Sequence, residues 1–310
     1  MKRIRTPPDT PNHSRAPSPV PAQADERYKR QKTQDNYEKW HNVSKWTDYQ
    51  TEHCSISVDE DTTFTDFDSF IGMHNLELVA EPARREPTDA ELTALLAPGL
   101  TTKHITDNSF DADNNLSSAE STFGGLLRKV MLNTTKPVKE DYTHDLVNFI
   151  FERANFGAGG LTYESQWERN VNIGDHITVT SIPDFAVLRD SVDALVLDED
   201  KPMVSSSSIN PQICGQFVVA ALDHALRHPT APLETFLVQF RGTNVRFYRG
   251  IASAKWIHDL AGGFTPDEEH SIKITRYPET FWNLTLPDER EKFVRALIKL
   301  RRIAFGINAS

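Results

Sequence analysis

The stretch Ser181–Pro202, SIPDFAVLRDSVDALVLDEDKP, is where the fold of this chain is decided. It contains two apolar runs, Phe185–Leu188 and Ala194–Leu197, each too short for a helix and each bounded by polar residues. Runs of that length predict strands, over Asp184–Leu188 and Val192–Leu197, and Arg189-Asp190-Ser191 predicts the turn between them. In an antiparallel pair the start of one strand lies beside the end of the other. Asp184 opens the first strand, and Glu199 and Lys201 close the second, so Asp184 and Glu199 are expected to meet at one edge. Glu199 and Lys201 are two residues apart and share a face if the strand runs that far. Pro183 removes a ladder donor and fixes how the chain approaches the strand.

Outward from this pair the pattern alternates between helix and strand. Upstream, Tyr142, Leu146, Phe149, Ile150 and Arg153 fall at helical spacing and predict an amphipathic helix over Lys139–Arg153. Phe156-Gly-Ala-Gly-Gly ends it. No strand precedes those glycines and no Lys-Ser/Thr follows, so they are not a phosphate loop. Residues 162–172 read as extended, and Ile177-Thr-Val-Thr alternates as a strand does. Downstream, Asn210–Arg227 reads as a helix. Phe236–Phe240 and Val245–Tyr248 flank Arg-Gly-Thr-Asn as a hairpin. Ser253–Leu260 predicts a short helix, Ile272 and Ile274 a strand, and Pro287–Ile303 a terminal helix with Pro287 in its first turn. The order predicts an α/β (α+β) fold, a central mixed sheet flanked by helices. Strict βαβ alternation is absent, which argues against a doubly wound nucleotide-binding fold.

The remainder divides by composition into 1–36, 37–137 and 138–310. The chain has 310 residues, of which 38% are hydrophobic and 25% charged, an apolar share low enough to predict a disordered portion. Residues 1–36 are rich in Pro, Ser, Thr and charge and are expected to be a disordered tail. Its basic clusters, Lys2/Arg3/Arg5 and Arg27/Lys29/Arg30/Lys32, flank Thr6-Pro7, Thr10-Pro11 and Ser18-Pro19. They read either as a nuclear localisation signal, with an import receptor as partner and proline-directed phosphorylation sites, or as a solvated tail. Residues 37–137 read as an irregular, helical, acidic region, with helices expected from Pro87 to Leu96 and from Ser118 to Leu132. Residues 1–46 carry ten basic and five acidic side chains, net +5; residues 47–120 carry three and sixteen, net −13; the rest is net −2. The overall −10 is therefore concentrated in the middle segment and leaves phosphate binding by the C-terminal region open. No apolar stretch is long enough for a membrane helix, and MKRIRTPPDTP lacks the apolar core of a secretory signal. Two cysteines, Cys54 and Cys214, cannot build a disulfide framework or a four-thiolate zinc site.

A metal-dependent phosphodiesterase needs hard oxygen ligands for Mg²⁺ or Mn²⁺ and a cation near the reacting phosphate. Asp184, Glu199 and Lys201 supply those types. By spacing alone two readings stay open: such a site, or solubilising ends of a hairpin with Asp198-Glu199-Asp200-Lys201 as a solvated turn. A one-residue slip would present Asp198 or Asp200 in place of Glu199.

Pro183-Asp184 followed by Glu199-x-Lys201 resembles the PD-(D/E)XK signature of restriction-endonuclease-like nucleases. The surrounding order adds to it: a helix before, a helix with Gln212 and Gln216 after, then a hairpin leading into Phe247-Tyr248-Arg249, and Phe281–Arg290 before a terminal helix. Over roughly 138–305 this resembles nuclease-like domains of fungal proteins, including those beside fungal-type protein kinases and in Crinkler-like effectors. The resemblance implies Asp184 and Glu199 as ligands of Mg²⁺ or Mn²⁺ and Lys201 as the catalytic cation. It implies a first-helix acid, Glu140 or alternatively Asp145, and a glutamine near the site, Gln212 with Gln216 as fallback. The implied activity is hydrolysis of DNA or RNA; the expectation of the nucleus comes from the basic clusters of the tail. A catalytically silent module that binds nucleic acid or protein is the second reading.

Other chemistries find less support. His224 and His228 lie four apart in ALDHALRHP without an evident third ligand and read as structural. Cys214 lies on an apolar helix face and reads as core. Arg241, Arg246, Arg249 and Lys255, with Phe247, Tyr248 and Trp256, read either as a basic-aromatic surface or as an ordinary hairpin.

Overall fold

A computed structural model describes residues 40, 42–72, 88, 90, 99–110, 116–133, 141–158, 160–175, 177–189, 193–201, 210–266 and 270–306, with 189, 193–201 and 305–306 as backbone. The tail at 1–36 and the helix expected at Pro87–Leu96 lie outside the described residues, apart from Thr88 and Ala90. In chain order a 3-10 helix (Val43–Lys45) precedes α1 (Asp48–His53), β1 (Ile56–Val58), α2 (Phe67–Phe70), α3 (Thr102–Asp107), α4 (Ser118–Leu132) and α5 (Asp141–Arg153). Then come β2 (Leu161–Ser165), β3 (Arg169–Ile173), β4 (Ile177–Ser181), β5 (Phe185–Arg189), β6 (Asp193–Lys201) and α6 (Asn210–Ala225). The chain continues through β7 (Leu233–Arg241), β8 (Asn244–Ala252), α7 (Ala254–Ala261), β9 (Ile272–Asn283) and α8 (Pro287–Gly306).

The seven-stranded mixed sheet has the order β1-β9-β8-β7-β6-β5-β2, and β3-β4 form a separate hairpin. β2, β5 and β6 make an antiparallel meander. β6 then passes through α6 and returns as β7, parallel to it. A parallel neighbour requires such a crossover, whereas β7 to β8 needs only a tight turn. That turn carries Gly242 at φ 60, a left-handed conformation that costs glycine little.

Both faces of the sheet are covered, which is why the apolar runs in β5 and β7 are continuous rather than alternating. Phe185 and Val187 of β5 enter the core formed with α4, α5 and α8. Ala186 and Leu188 enter the opposite core, formed with α6, α7 and the β3–β4 hairpin. α4 starts at the expected residue: Ser117 caps it, and Glu120 returns the bond to the Ser117 N–H at 2.6 Å.

The strands of the second half extend beyond their expected ends. β7 begins at Leu233, and β9 runs on to Asn283 through Tyr277-Pro-Glu-Thr-Phe, whose proline and polar residues mask the strand. Residues from the acidic 37–137 region complete both layers. β1 adds to the sheet beside β9 in parallel register, Ile56 against Ile272. Trp40, Val43 and Trp46 bury themselves against α6, and Phe67 and Phe70 join the aromatic core around Phe247 and Tyr277.

Candidate functional site

Asp184 stands just before β5, half-buried, and its carbonyl accepts the Gln166 N–H at 2.8 Å. The next residue, Phe185, is 1% exposed and stacks on His144 of α5 at 4.3 Å and on Tyr163 of β2 at 5.0 Å. A buried ring on one side of Asp184 and buried Pro183 on the other fix its backbone. The β5–β6 register pairs Phe185 with Asp198 and Ala186 with Leu197. Continued by one residue, it sets position 199 opposite Asp184. Antiparallel partners stand about 5 Å apart at Cα, close enough for two carboxylates to share one ion. On its other side β6 pairs with β7, position 199 with Gln239 and position 201 with Arg241.

The same face of the sheet carries this row and the one beside it. Gln239 pairs with Arg246 of β8, and Tyr248 pairs with Arg276 of β9. Gln239 and Tyr248 are each 1% exposed, and the Tyr248 hydroxyl donates to Gln239 Oε1 at 2.9 Å. Burial pushes the Tyr248 phenol up, while Arg246, Arg276 and Arg241 pull it down. Burial lowers the Arg246 guanidinium, against the pull of Tyr248 and Glu60. Glu60 accepts from Arg276 Nη1 at 3.3 Å and from Asn210 Nδ2, at the start of α6, at 3.0 Å. The strand ends beside positions 199 and 201 thus open onto a half-buried, basic, hydrogen-bonded surface.

Glu140 lies outside the described residues. Its alternative, Asp145, is exposed on α5. Gln212 is half-buried in the first turn of α6, and Gln216 is buried one turn on. The basic-aromatic surface does not form as one patch. Phe247, Tyr248 and Trp256 are at most 1% exposed, so no base can stack on them. Arg249 points to the other face, with Nε on Glu234 at 2.5 Å, and Lys255 pairs with Asp259 on α7 at 2.7 Å. Only Arg241 and Arg246 belong to the row described above. His224 and His228 sit 4.7 Å apart at their ring centroids. Cys54 and Cys214 are buried, and burial pushes the Cys214 thiol up to about 12, which suits core residues. Gln239, Arg276, Glu60 and Asn210 were not singled out from sequence. The glutamine within the apolar FLVQF of β7 is a sequence signal that could have found Gln239.

Among the described residues no group of three or more His, Cys, Asp or Glu could hold a metal ion; the β6 side chains are not among those residues. No described helix is long and apolar enough to cross a membrane. No family model and no curated protein matches this chain.

Proposed function

We propose that the chain is a metal-dependent nuclease of PD-(D/E)XK type, acting on phosphodiester bonds of nucleic acid. The observation that carries the reading is the backbone arrangement around β5 and β6. A helix, the antiparallel strands β2, β5 and β6 with the β3–β4 hairpin inserted after β2, a helix and a parallel strand follow one another, and the register continued by one residue sets position 199 opposite Asp184. The donor set fits a hard divalent cation: Asp184 and Glu199 would hold Mg²⁺ or Mn²⁺ through carboxylate oxygens. Such an ion supplies Lewis-acid polarisation of the phosphoryl oxygen. Lys201, two residues beyond Glu199 on the same strand, orients the attacking water and offsets the charge that develops on the phosphate. The bond opens by in-line attack, water adding to phosphorus as the ester oxygen leaves. Glu140, which precedes α5 in the sequence, and Gln212, at the start of α6, complete the proposed catalytic set. The two basic clusters of the tail supply nuclear import through an import receptor.

The test is cleavage of single- and double-stranded DNA and RNA with Mg²⁺ or Mn²⁺, wild type beside Asp184→Ala and Lys201→Ala. Wild type cuts, and each variant loses turnover by a hundredfold or more, on the order of removing one charge-stabilising group, while melting like wild type. Added Mn²⁺ raises the melting temperature of wild type by mass action and leaves Asp184→Ala unchanged. Cleavage by Lys201→Ala at the wild-type rate would sink the mechanism. A folded wild type that neither cuts nor responds to Mn²⁺ would leave a binding module.

A further inference from the structure

Arg246 lies where β9 loses register with β8. Val245 pairs with Trp282 and Phe247 with Tyr277, so residues 278–281 arch out opposite Arg246. Irregularities of this kind re-aim side chains and are frequent beside functional sites. The arch holds the guanidinium on two sides. The Glu279 carbonyl accepts from Arg246 Nη2, and the Phe281 ring lies 4.0 Å from the guanidinium carbon. Its Nε is buried without a hydrogen-bond partner among the described residues.

Arg276 and Arg241 stand on the same face. All three guanidinium groups act on the one buried phenol of Tyr248. Glu60 answers part of this charge: it pairs with Arg276, whose side chain is 17% exposed, and its charge favours the protonated Arg246. Asn210 binds the same Glu60, so the positive end of the α6 dipole lies at the cluster as well. Arg246 and Arg276 carry like charges at half-buried positions and repel, and an anion that joins them reduces the repulsion. A planar guanidinium matches the oxygens of a phosphate in pairs, better than it matches a point charge.

We propose that Arg241, Arg246 and Arg276, on the three successive strands β7, β8 and β9 that follow β6 across the sheet, form a binding site for a backbone phosphate of nucleic acid. The identity of the ligand rests on the nuclease reading; the basic cluster does not. A strand held there lies across the ends of β6 and β7, and a neighbouring phosphodiester comes to Asp184 and Lys201. This answers how a chain of net charge −10 engages a polyanion: through a local cluster rather than its overall field.

The experiment is anisotropy titration of labelled single-stranded DNA, and of RNA of the same sequence, in EDTA over a range of salt. Full-length wild type is compared with Arg246→Gln, Arg276→Gln, Arg276→Lys and Asp184→Ala. Each Gln variant is expected to bind at least one of the two strands about tenfold more weakly. Each should also lower the log–log salt slope by about one. Arg276→Lys keeps the slope, and Asp184→Ala binds at least as well as wild type. Gln variants that melt and bind like wild type would overturn the site, as would a folded wild type that binds neither strand. Poly-glutamate bound as tightly through the same arginines would mean a site for acidic polypeptides, and the phosphate assignment would fall. The two proposals separate cleanly. Binding through the arginines without any cleavage removes the nuclease and keeps the site; cleavage at undiminished KM in both Gln variants does the reverse.

Discussion

His53, the last residue of α1, lies edge-on to Trp40 with ring centroids 5.2 Å apart, and its Nδ1 is 3.4 Å from the Thr265 hydroxyl. Burial holds its imidazole below the ordinary 6.5. The unfolded chain therefore takes up this proton at a higher pH than the folded one does. The stability that the neutral ring contributes is complete above about 6.5 and is lost as pH falls through the window beneath it. His53→Phe keeps a ring against Trp40 and removes the titration. Calorimetry from about pH 7 to pH 5 is expected to give a shallower fall in Tm for this variant than for wild type. Parallel slopes would mean that His53 contributes nothing to the acid limb. The same scale governs Asp184, whose position is set by what its neighbour Phe185 touches.

α6 is apolar nearly all round, from Ile213 to Leu222, because the sheet, the 3-10 helix, α7 and the β3–β4 hairpin enclose it. Its closest approach is at Gly215. A Cβ there would stand 2.7 Å from Val43 Cβ and 3.0 Å from Trp46 Cδ2, atoms that cannot swing aside. Gly215→Ala is expected to destabilise by about 1–3 kcal/mol in urea unfolding, although alanine is the better helix former. Gly125 in α4 has nothing within 4 Å of the same added atom. There Gly125→Ala should stabilise by about 0.5–1 kcal/mol. Equal effects at the two sites would refute the close packing of the 3-10 helix on α6. That packing holds the start of α6, with Asn210 and Gln212, at the ends of the strands.

Lys39–Ser310 behave as one compact unit, and the acidic region supplies pieces that the later residues cannot replace. Lys299 of α8 is 5% exposed and donates to both Asp68 oxygens at 2.8 Å. Trp256 of α7, fully buried, donates its indole N–H to the Cys54 carbonyl at 2.9 Å. Arg249 reaches the Phe70 carbonyl at 3.3 Å. A chain shortened to begin at residue 138 loses all of these partners and takes the Phe67 ring from Phe247. Taking the Asp68 carboxylate from the Lys299 ammonium alone costs about 1.5–3 kcal/mol, a sizeable part of the stability of a small domain. The shortened chain is expected to show no cooperative melt by near-ultraviolet circular dichroism, while a chain beginning at 39 melts as the full chain does. A sharp melt from residue 138 onward would show that the C-terminal half folds alone.

Short-range chemistry was legible from the residues. The Ser117/Glu120 cap, the apolar runs of β5 and β6, the helical spacing of α5 and α8 and the β7–β8 turn each depend on neighbours within a few positions. The mixed sheet flanked by helices followed from their order. Contacts across the chain were not legible. Ile56–Val58 is too short to declare a strand and becomes one only by pairing with Ile272–Ile274. The second half of β9 was hidden because its irregular pairing tolerates proline and charge. At the candidate site the residue types stood in the sequence, but Asp198, Glu199 and Asp200 were alternatives for the place opposite Asp184. Only the pairing of Phe185 with Asp198 selects 199, because register is a property of two strands and not of one. The arrival of Arg276 beside Tyr248 has the same origin: cross-strand pairing brings it to the hairpin that already carries Arg241 and Arg246.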